Sequence, residues 1–301
     1  MNTPATTSVT TEMSTGSVPS ADGTTIGYLK AGRGPAVVML HGSNESARSH
    51  TQLAMALASD FTVYLPDRRG RGRSGPHRPG HSMRTEIEDL QAVVAASGAQ
   101  AVFGVSISGL IALLTSLATP AIRQIAVYEP ALLLDRSGRY TSWTSRFDEE
   151  MAHGQIADAL LTSMYGFDLA PPAFRIMPRR LLKAATNAAM KKEDAQAAPG
   201  IVTMHQLAPT IRYEGLLLAE MAGAIDSFAG VTADVLLMGG DMKRPAFIRP
   251  AFDALARTLP HNRCVQFPGL DHGGSSDPGP ANRGGKPSAV APDLRSFYAR
   301  P

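Results

Sequence analysis

Short apolar runs separated by stretches of helical length are the feature that most restricts how this chain can fold. Ala36–Leu40, residues 61–65 and Ala101–Val105 are dominated by apolar side chains with almost no polar alternation. A strand with one face in water alternates, so runs like these suit strands buried on both faces. Between them, residues 47–58 and Met83–Ser97 carry apolar residues at helical spacing, and residues 107–117 form an apolar helical run. Glu86, Glu88 and Asp89 lie toward the start of the second of these, where a helix dipole favours acids.

The pattern recurs through the chain. A turn at Ala21-Asp22-Gly23 feeds a strand at 24–29, and Gln124–Tyr128, 235–239 and 264–267 read as further strands. A helical pattern at 251–259 separates the last two, and a short helix at 290–298 closes the chain. Alternating strands and helices predict an α/β fold with a mostly parallel sheet flanked by helices. From about 134 to 228 the alternation stops and only helices are legible, broken at Pro171-Pro172 and at the polar run 191–200. The expected organisation is a tail over 1–20, an α/β core over 21–133 and 229–301, and a helical cap over 134–228. Residues 273–287, dense in Gly, Pro and Ser, read as a second flexible stretch.

At 301 residues the chain can bury a core without staples. Its single cysteine, Cys264, excludes an internal disulfide and reads as a small buried hydrophobe in a strand. That usage fits a reducing, cytoplasmic setting. The first 20 residues have neither a basic start nor an apolar run, so they do not read as a secretory signal. No apolar stretch is long enough to span a membrane. Twenty-nine cationic residues against 26 anionic ones leave a net charge of +3, and the one dense basic run is Arg68, Arg69, Arg71 and Arg73. Nucleic-acid binding is not expected. No cluster has metal-ligand spacing and no phosphate loop ends in Lys-Ser or Lys-Thr, so neither metal nor cofactor is implied. The expected partner is a small-molecule substrate; oligomeric state is not legible.

The chemistry gathers around Gly104-Val105-Ser106-Ile107-Ser108-Gly109, between a strand and a helix. A serine at such a turn presents its hydroxyl at the carboxyl end of the sheet, with the helix N-terminus behind it. The turn is tight, so small residues are needed two places before and after the nucleophile. Gly104 and Ser108 satisfy that around Ser106, whereas a nucleophile at Ser108 would put Leu110 in the second place. After the 36–40 strand comes His41-Gly42-Ser43-Asn44, where the Ser43 N–H can join that of Ile107 as an oxyanion hole.

Next comes Asp67-Arg68-Arg69-Gly70-Arg71-Gly72-Arg73-Ser74. His-Gly, then D-x-R-G-x-G-x-S, then a serine elbow, then a late Gly-x-x-His resembles the α/β-hydrolase superfamily, especially its capped esterases and lactonases. The resemblance covers about residues 20–300 apart from the cap. It implies that the Asp-x-Arg-Gly segment is structural, and that the triad runs Ser, acid, His. His272, after the last strand in Pro268-Gly269-Leu270-Asp271-His272-Gly273, fits as the base, whereas His261 precedes that strand. The acid is less regular. Where most relatives carry Gly-x-x-Asp, this chain has Gly239-Gly240-Asp241-Met242, with Asp241 one residue early. Some relatives use the end of the strand after the nucleophile helix, here Glu129 in Val127-Tyr128-Glu129-Pro130; Glu129 is favoured and Asp241 is the alternative.

His41, Trp143, Tyr165 and His205 are candidate substrate contacts, with Phe147, Met164, Phe167 and Met204 as further possible lining. The expected activity is serine-dependent hydrolysis of a small carboxylic ester, lactone or related carbonyl compound through an acyl-enzyme. The alternatives are redeployment of the fold as a lyase, C–C bond hydrolase or acyltransferase, and a ligand-binding protein without catalysis.

Overall fold

The computed structural model describes residues 13–242, 245–279 and 282–300. Its chain opens with strands β1 (Ser14–Pro19), β2 (Thr25–Gly32) and β3 (Ala36–Leu40). Helix α1 (Thr51–Leu57) leads into β4 (Thr62–Pro66), and α2 (Met83–Ser97) leads into β5 (Ala101–Val105). Helix α3 (Ile107–Ala118) then leads into β6 (Gln124–Tyr128). The next five α-helices come without a strand between them. They are α4 (Thr144–Ala152), α5 (Ile156–Gly166), α6 (Arg179–Gln196), α7 (Met204–Leu207) and α8 (Ile211–Met221). Strand β7 (Asp234–Gly240), α9 (Ile248–Thr258), β8 (Asn262–Phe267) and α10 (Pro287–Tyr298) complete the fold.

The eight strands form one sheet in the order β1-β2-β4-β3-β5-β6-β7-β8. β2 is antiparallel to β1 and to β4, and every pairing from β4 onward is parallel. Each buried strand feeds two cores, because successive side chains point to opposite faces. Val38, Val102, Val127 and Leu237 pack under α2, α3 and α9, where Leu90, Leu110 and Leu255 meet them. Val37, Phe103, Tyr128 and Met238 pack on the other face, under α1 and α10, against Leu53, Leu57 and Leu294. This two-sided burial is why the runs are apolar at consecutive positions. From β3 the chain passes through α1 to β4 on one side, and from β5 through α3 to β6 on the other. The carboxyl ends of β3 and β5 therefore flank a topological switch point, where a doubly wound sheet opens a crevice.

The arginine run is loop architecture. Arg68, Arg69 and Arg71 are buried, and only Arg73 is exposed. Arg68 grips Glu86 of α2 through Nη2 (2.7 Å) and Nε (2.9 Å) and Glu214 of α8 through Nη1 (3.0 Å). Arg71 pairs with the same Glu214, while Arg69 pairs with Asp89 (2.6 Å) and Asp22 (2.7 Å). Burial pushes the Glu86 carboxyl up, but Arg68 and His81 beside it more than offset this and hold it well below the usual range. The acids near the start of α2 are thus counter-ions to the loop as well as favourable to the helix dipole. Asp67 ties the loop down, accepting the N–H groups of Ala47 (2.8 Å) and Arg73 (3.0 Å).

Three expectations are corrected. Residues 14–19 form an edge strand, because β2 offers six backbone partners to a segment whose side chains need no burial. Residues 1–12 of the expected tail lie outside the described residues. Cys264 is exposed, since β8 is the other edge of the sheet and is covered less completely. The described residues of the stretch expected to be flexible after His272 are tied down at two points. The Asp277 carboxylate accepts Thr51 Oγ1 (2.6 Å) and the Gln52 N–H (3.0 Å) at the start of α1, and Asn282 Nδ2 donates to the Gly273 carbonyl (2.9 Å).

Candidate active site

At the end of β5 the chain turns so sharply that Ser106 sits at φ 58°, ψ −124°, a conformation L-residues rarely adopt. Its N–H donates to the Tyr128 carbonyl of β6 (2.9 Å), and its own carbonyl accepts the Gly109 N–H (3.1 Å). A Cβ at Gly104 would overlap the Ser108 backbone, and one at Gly109 would overlap Val127 Cγ1. Ser108, where the usual pattern has glycine, is fully buried, and its hydroxyl donates to the His41 carbonyl at the end of β3 (2.6 Å). The elbow is thereby bonded to the neighbouring loop.

That loop carries Gly42 and Ser43. His41 is 1% exposed; its Nε2 accepts the Arg68 N–H (3.1 Å), which leaves Nδ1 to donate to the Gly42 carbonyl (2.9 Å). Burial, with Arg71 and Arg68 nearby, keeps this imidazole well below its ordinary pKa and neutral. His41 is therefore a backbone brace, and the expectation of a substrate contact is corrected. Asn44 takes a left-handed conformation (φ 55°), so that Glu45 Oε2 reaches back to the Gly42 N–H (2.7 Å). Ser43 Oγ donates to Glu214 Oε2 (3.1 Å).

The third part comes from β6. Glu129, just past the strand, is buried in a left-handed conformation (φ 50°), with its N–H donating to the Met238 carbonyl of β7 (2.8 Å). Its Oε1 accepts the Gly240 N–H (3.0 Å), and its Oε2 lies 3.2 Å from His272 Nδ1. Tyr128 OH donates to the Asp271 carbonyl (2.8 Å), which steadies the loop presenting His272. Asp241, the alternative acid, is exposed and accepts the Gly269 N–H (2.7 Å). The carboxylate at His272 is Glu129, because Asp241 stands beyond the end of β7 and turns outward.

Ser106, His272, Gly42 and Ser43 share a cavity of about 120 Å³. Ala131, Phe167, Leu169, Leu218, Pro245 and Phe247 form its apolar wall, so the helical segment between β6 and β7 contributes directly. Trp143 is not in that wall; it donates to the Tyr140 carbonyl (2.7 Å) and packs edge-on against Phe147 and Phe167. Tyr165 spends its hydroxyl on the Phe174 carbonyl (2.7 Å), and His205 is exposed beside Asp194. None of these three side chains lines the cavity. A larger groove of about 670 Å³ between the arginine loop and residues 200–206 contains neither Ser106 nor His272. The strained Ser106 and His272, which pairs with Glu129, belong to the smaller cavity, not to this groove. Atoms of His77, His81 and Glu86 lie within 4.8 Å of one another, but both Glu86 oxygens are engaged by Arg68, so a guanidinium already stands where a cation would bind.

The profile of the α/β hydrolase family matches residues 37–281. The chain belongs to this family. It is an enzyme of the hydrolase class. An uncharacterized hydrolase of Bacillus subtilis, YraK, is 26% identical over 252 residues, covering 82% of this chain and 86% of that protein. The solved structure of an α/β hydrolase from Sphaerobacter thermophilus has a TM-score of 0.74 at 31% identity, covering 94% of this chain and all of that one. A thermophilic esterase from Thermogutta terrifontis, solved with malate bound, shares the fold at TM-score 0.68 and 16% identity, over 95% of this chain and 98% of that one. Sequence reading of this hydrolase missed Glu45 and Glu214. Glu45, three residues after Gly42, had a faint local signal; Glu214 had none, because its partners Arg68 and Arg71 lie about 145 positions away.

Proposed function

We propose that this hydrolase cleaves a small carboxylic ester, lactone or related carbonyl compound with Ser106 as nucleophile, His272 as base and Glu129 as orienting acid. The observation that carries the reading is the His272 Nδ1–Glu129 Oε2 contact at the cavity that also holds the strained Ser106. With Nδ1–H donated to Glu129, the Nε2 lone pair is free to take the Ser106 proton as Oγ attacks the carbonyl carbon. The tetrahedral oxyanion is met by the N–H groups of Ser43 and Ile107. The latter is the first of α3 and has no partner within its helix by position. His272 then protonates the leaving group, and the same imidazole activates water to release the acid and regenerate Ser106. The helices between β6 and β7 act as a cap that sets the acyl and alcohol groups accepted. The small apolar cavity favours short groups.

Fluorophosphonate labelling, with the modified peptide located by mass spectrometry, tests the assignment. Labelling at Ser106 is expected to disappear in His272→Ala and to slow by about 10²–10⁴ in Glu129→Gln. Rapid labelling of a folded His272→Ala protein, or no labelling of wild type, would overturn it.

A further inference from the structure

We infer that Glu45 makes the active-site cavity selective by charge, favouring substrates with a cationic or hydrogen-bond-donating group close to the scissile carbonyl and rejecting those with a carboxylate there. The inference rests on the hydrolase reading above and adds the class of substrate. Glu45 lines the same cavity as Ser106 and His272, and it is the only acidic side chain among the described residues of that lining. No Lys or Arg belongs to the described lining, whose other polar side chains are Ser43, Ser106 and His272. Its side chain keeps 20% of its exposure.

The carboxylate cannot swing away, because it is held from two sides. Oε2 takes the Gly42 N–H (2.7 Å) from the loop after β3, and Oε1 takes the Ser276 hydroxyl (2.5 Å) from the segment that follows His272. Ser276 Oγ is itself 3.3 Å from His50 Nε2, and burial holds His50 below its ordinary pKa despite Glu45 and Asp277 nearby. His50 Nδ1 also lies 4.0 Å from Glu45 Oε2, and with its pKa held down by burial the ring adds no full positive charge beside the carboxylate. Each carboxylate oxygen can accept more than one donor, so Glu45 keeps hydrogen-bonding capacity for a substrate N–H or O–H. In a cavity of about 120 Å³, any charged substituent stands within a few ångströms of Glu45. The apolar walls transmit that interaction instead of screening it.

The test compares near-isosteric methyl esters of glycine, propionate and malonate, carrying ammonium, methyl and carboxylate on the acyl side. Acetylcholine and 3,3-dimethylbutyl acetate do the same on the alcohol side. Each kcat/KM is divided by the ester's hydroxide-catalysed rate to remove intrinsic reactivity. Wild type is expected to favour the cationic member of at least one set over its neutral isostere by about tenfold or more, and to disfavour the malonate ester by a similar factor. Glu45→Gln keeps an acceptor for the Gly42 N–H without the charge, and it should collapse both ratios toward one. Equal wild-type ratios in both sets, or a preference for the carboxylate, overturn the inference whatever the variant does. So does discrimination that survives in Glu45→Gln. If Glu45→Gln turns over nothing, the wild-type ratios decide, with boronic acids carrying the same three charges as competitive inhibitors of both proteins. If wild type hydrolyses no ester and Ser106 is not labelled, the hydrolase reading falls and takes this one with it.

Discussion

Ser106 at φ 58° persists only because its neighbours leave the chain no better arrangement. Gly109 is one such neighbour, since α3 rests on β6 where a Cβ would overlap Val127 Cγ1. Gly109→Ala should cost about 1–3 kcal/mol in denaturant unfolding, and fluorophosphonate labelling should slow as the elbow shifts. His77 offers a prediction at the same scale. Burial, with His81 and Arg71 nearby, lowers its pKa to about 3, against about 6.5 for an unfolded imidazole. Between those values the unfolded chain binds a proton that the folded one refuses, so stability falls as pH drops from about 6.5 toward 3. His41 and His50 are shifted in the same direction. His77→Asn should therefore reduce the slope of stability against pH in this window by up to one proton without removing it. Urea midpoints measured from pH 7 down to pH 4 would check this, and an unchanged slope would refute it.

Among the elements, α8 shows how the helical segment is joined to the sheet. Glu214 is fully buried and faces Arg68, Arg71 and the Ser43 hydroxyl, while the neighbouring Tyr213 stacks on His77 with ring centroids 3.7 Å apart. Removing the glutamate charge leaves two guanidinium groups short of a buried counter-ion, which typically costs about 3–5 kcal/mol. Glu214→Gln should lower the urea midpoint accordingly and open 134–228 to limited proteolysis before the rest of the chain. Arg84→Ala, by contrast, removes an exposed pair with Glu88 one turn along α2 and should leave the midpoint within error.

Over the whole molecule, the candidate site lies at the crevice between β3 and β5, and β1 and β8 form the two edges of the sheet. β1 shields β2, so a chain starting at Ser20 should lose about 1–2 kcal/mol and associate with rising concentration, read by light scattering. Much of this arrangement was legible in the sequence. Apolar runs buried on both faces marked β3 to β7, helical spacing marked α2 and α3, and small residues around Ser106 marked the elbow; each signal is local and spans a few residues. His272 and Glu129 were legible as strand-end residues, and the resemblance favoured their pairing while leaving Asp241 as the alternative. Whether Glu129 or Asp241 met the imidazole depended on a left-handed turn at Glu129 and on a one-residue offset beyond β7. The edge strand β1, the exposure of Cys264 and the counter-ions of the arginine loop were likewise decided by what each segment packs against in the fold. The sequence alone determined most of the sheet, its flanking helices and the tight turn at Ser106, because hydrophobic period and turn sterics act within a few residues. Tertiary structure alone decided that Glu214 faces Arg68 and that Glu129 meets His272, because each pair joins segments more than a hundred residues apart, at 3.0 and 3.2 Å.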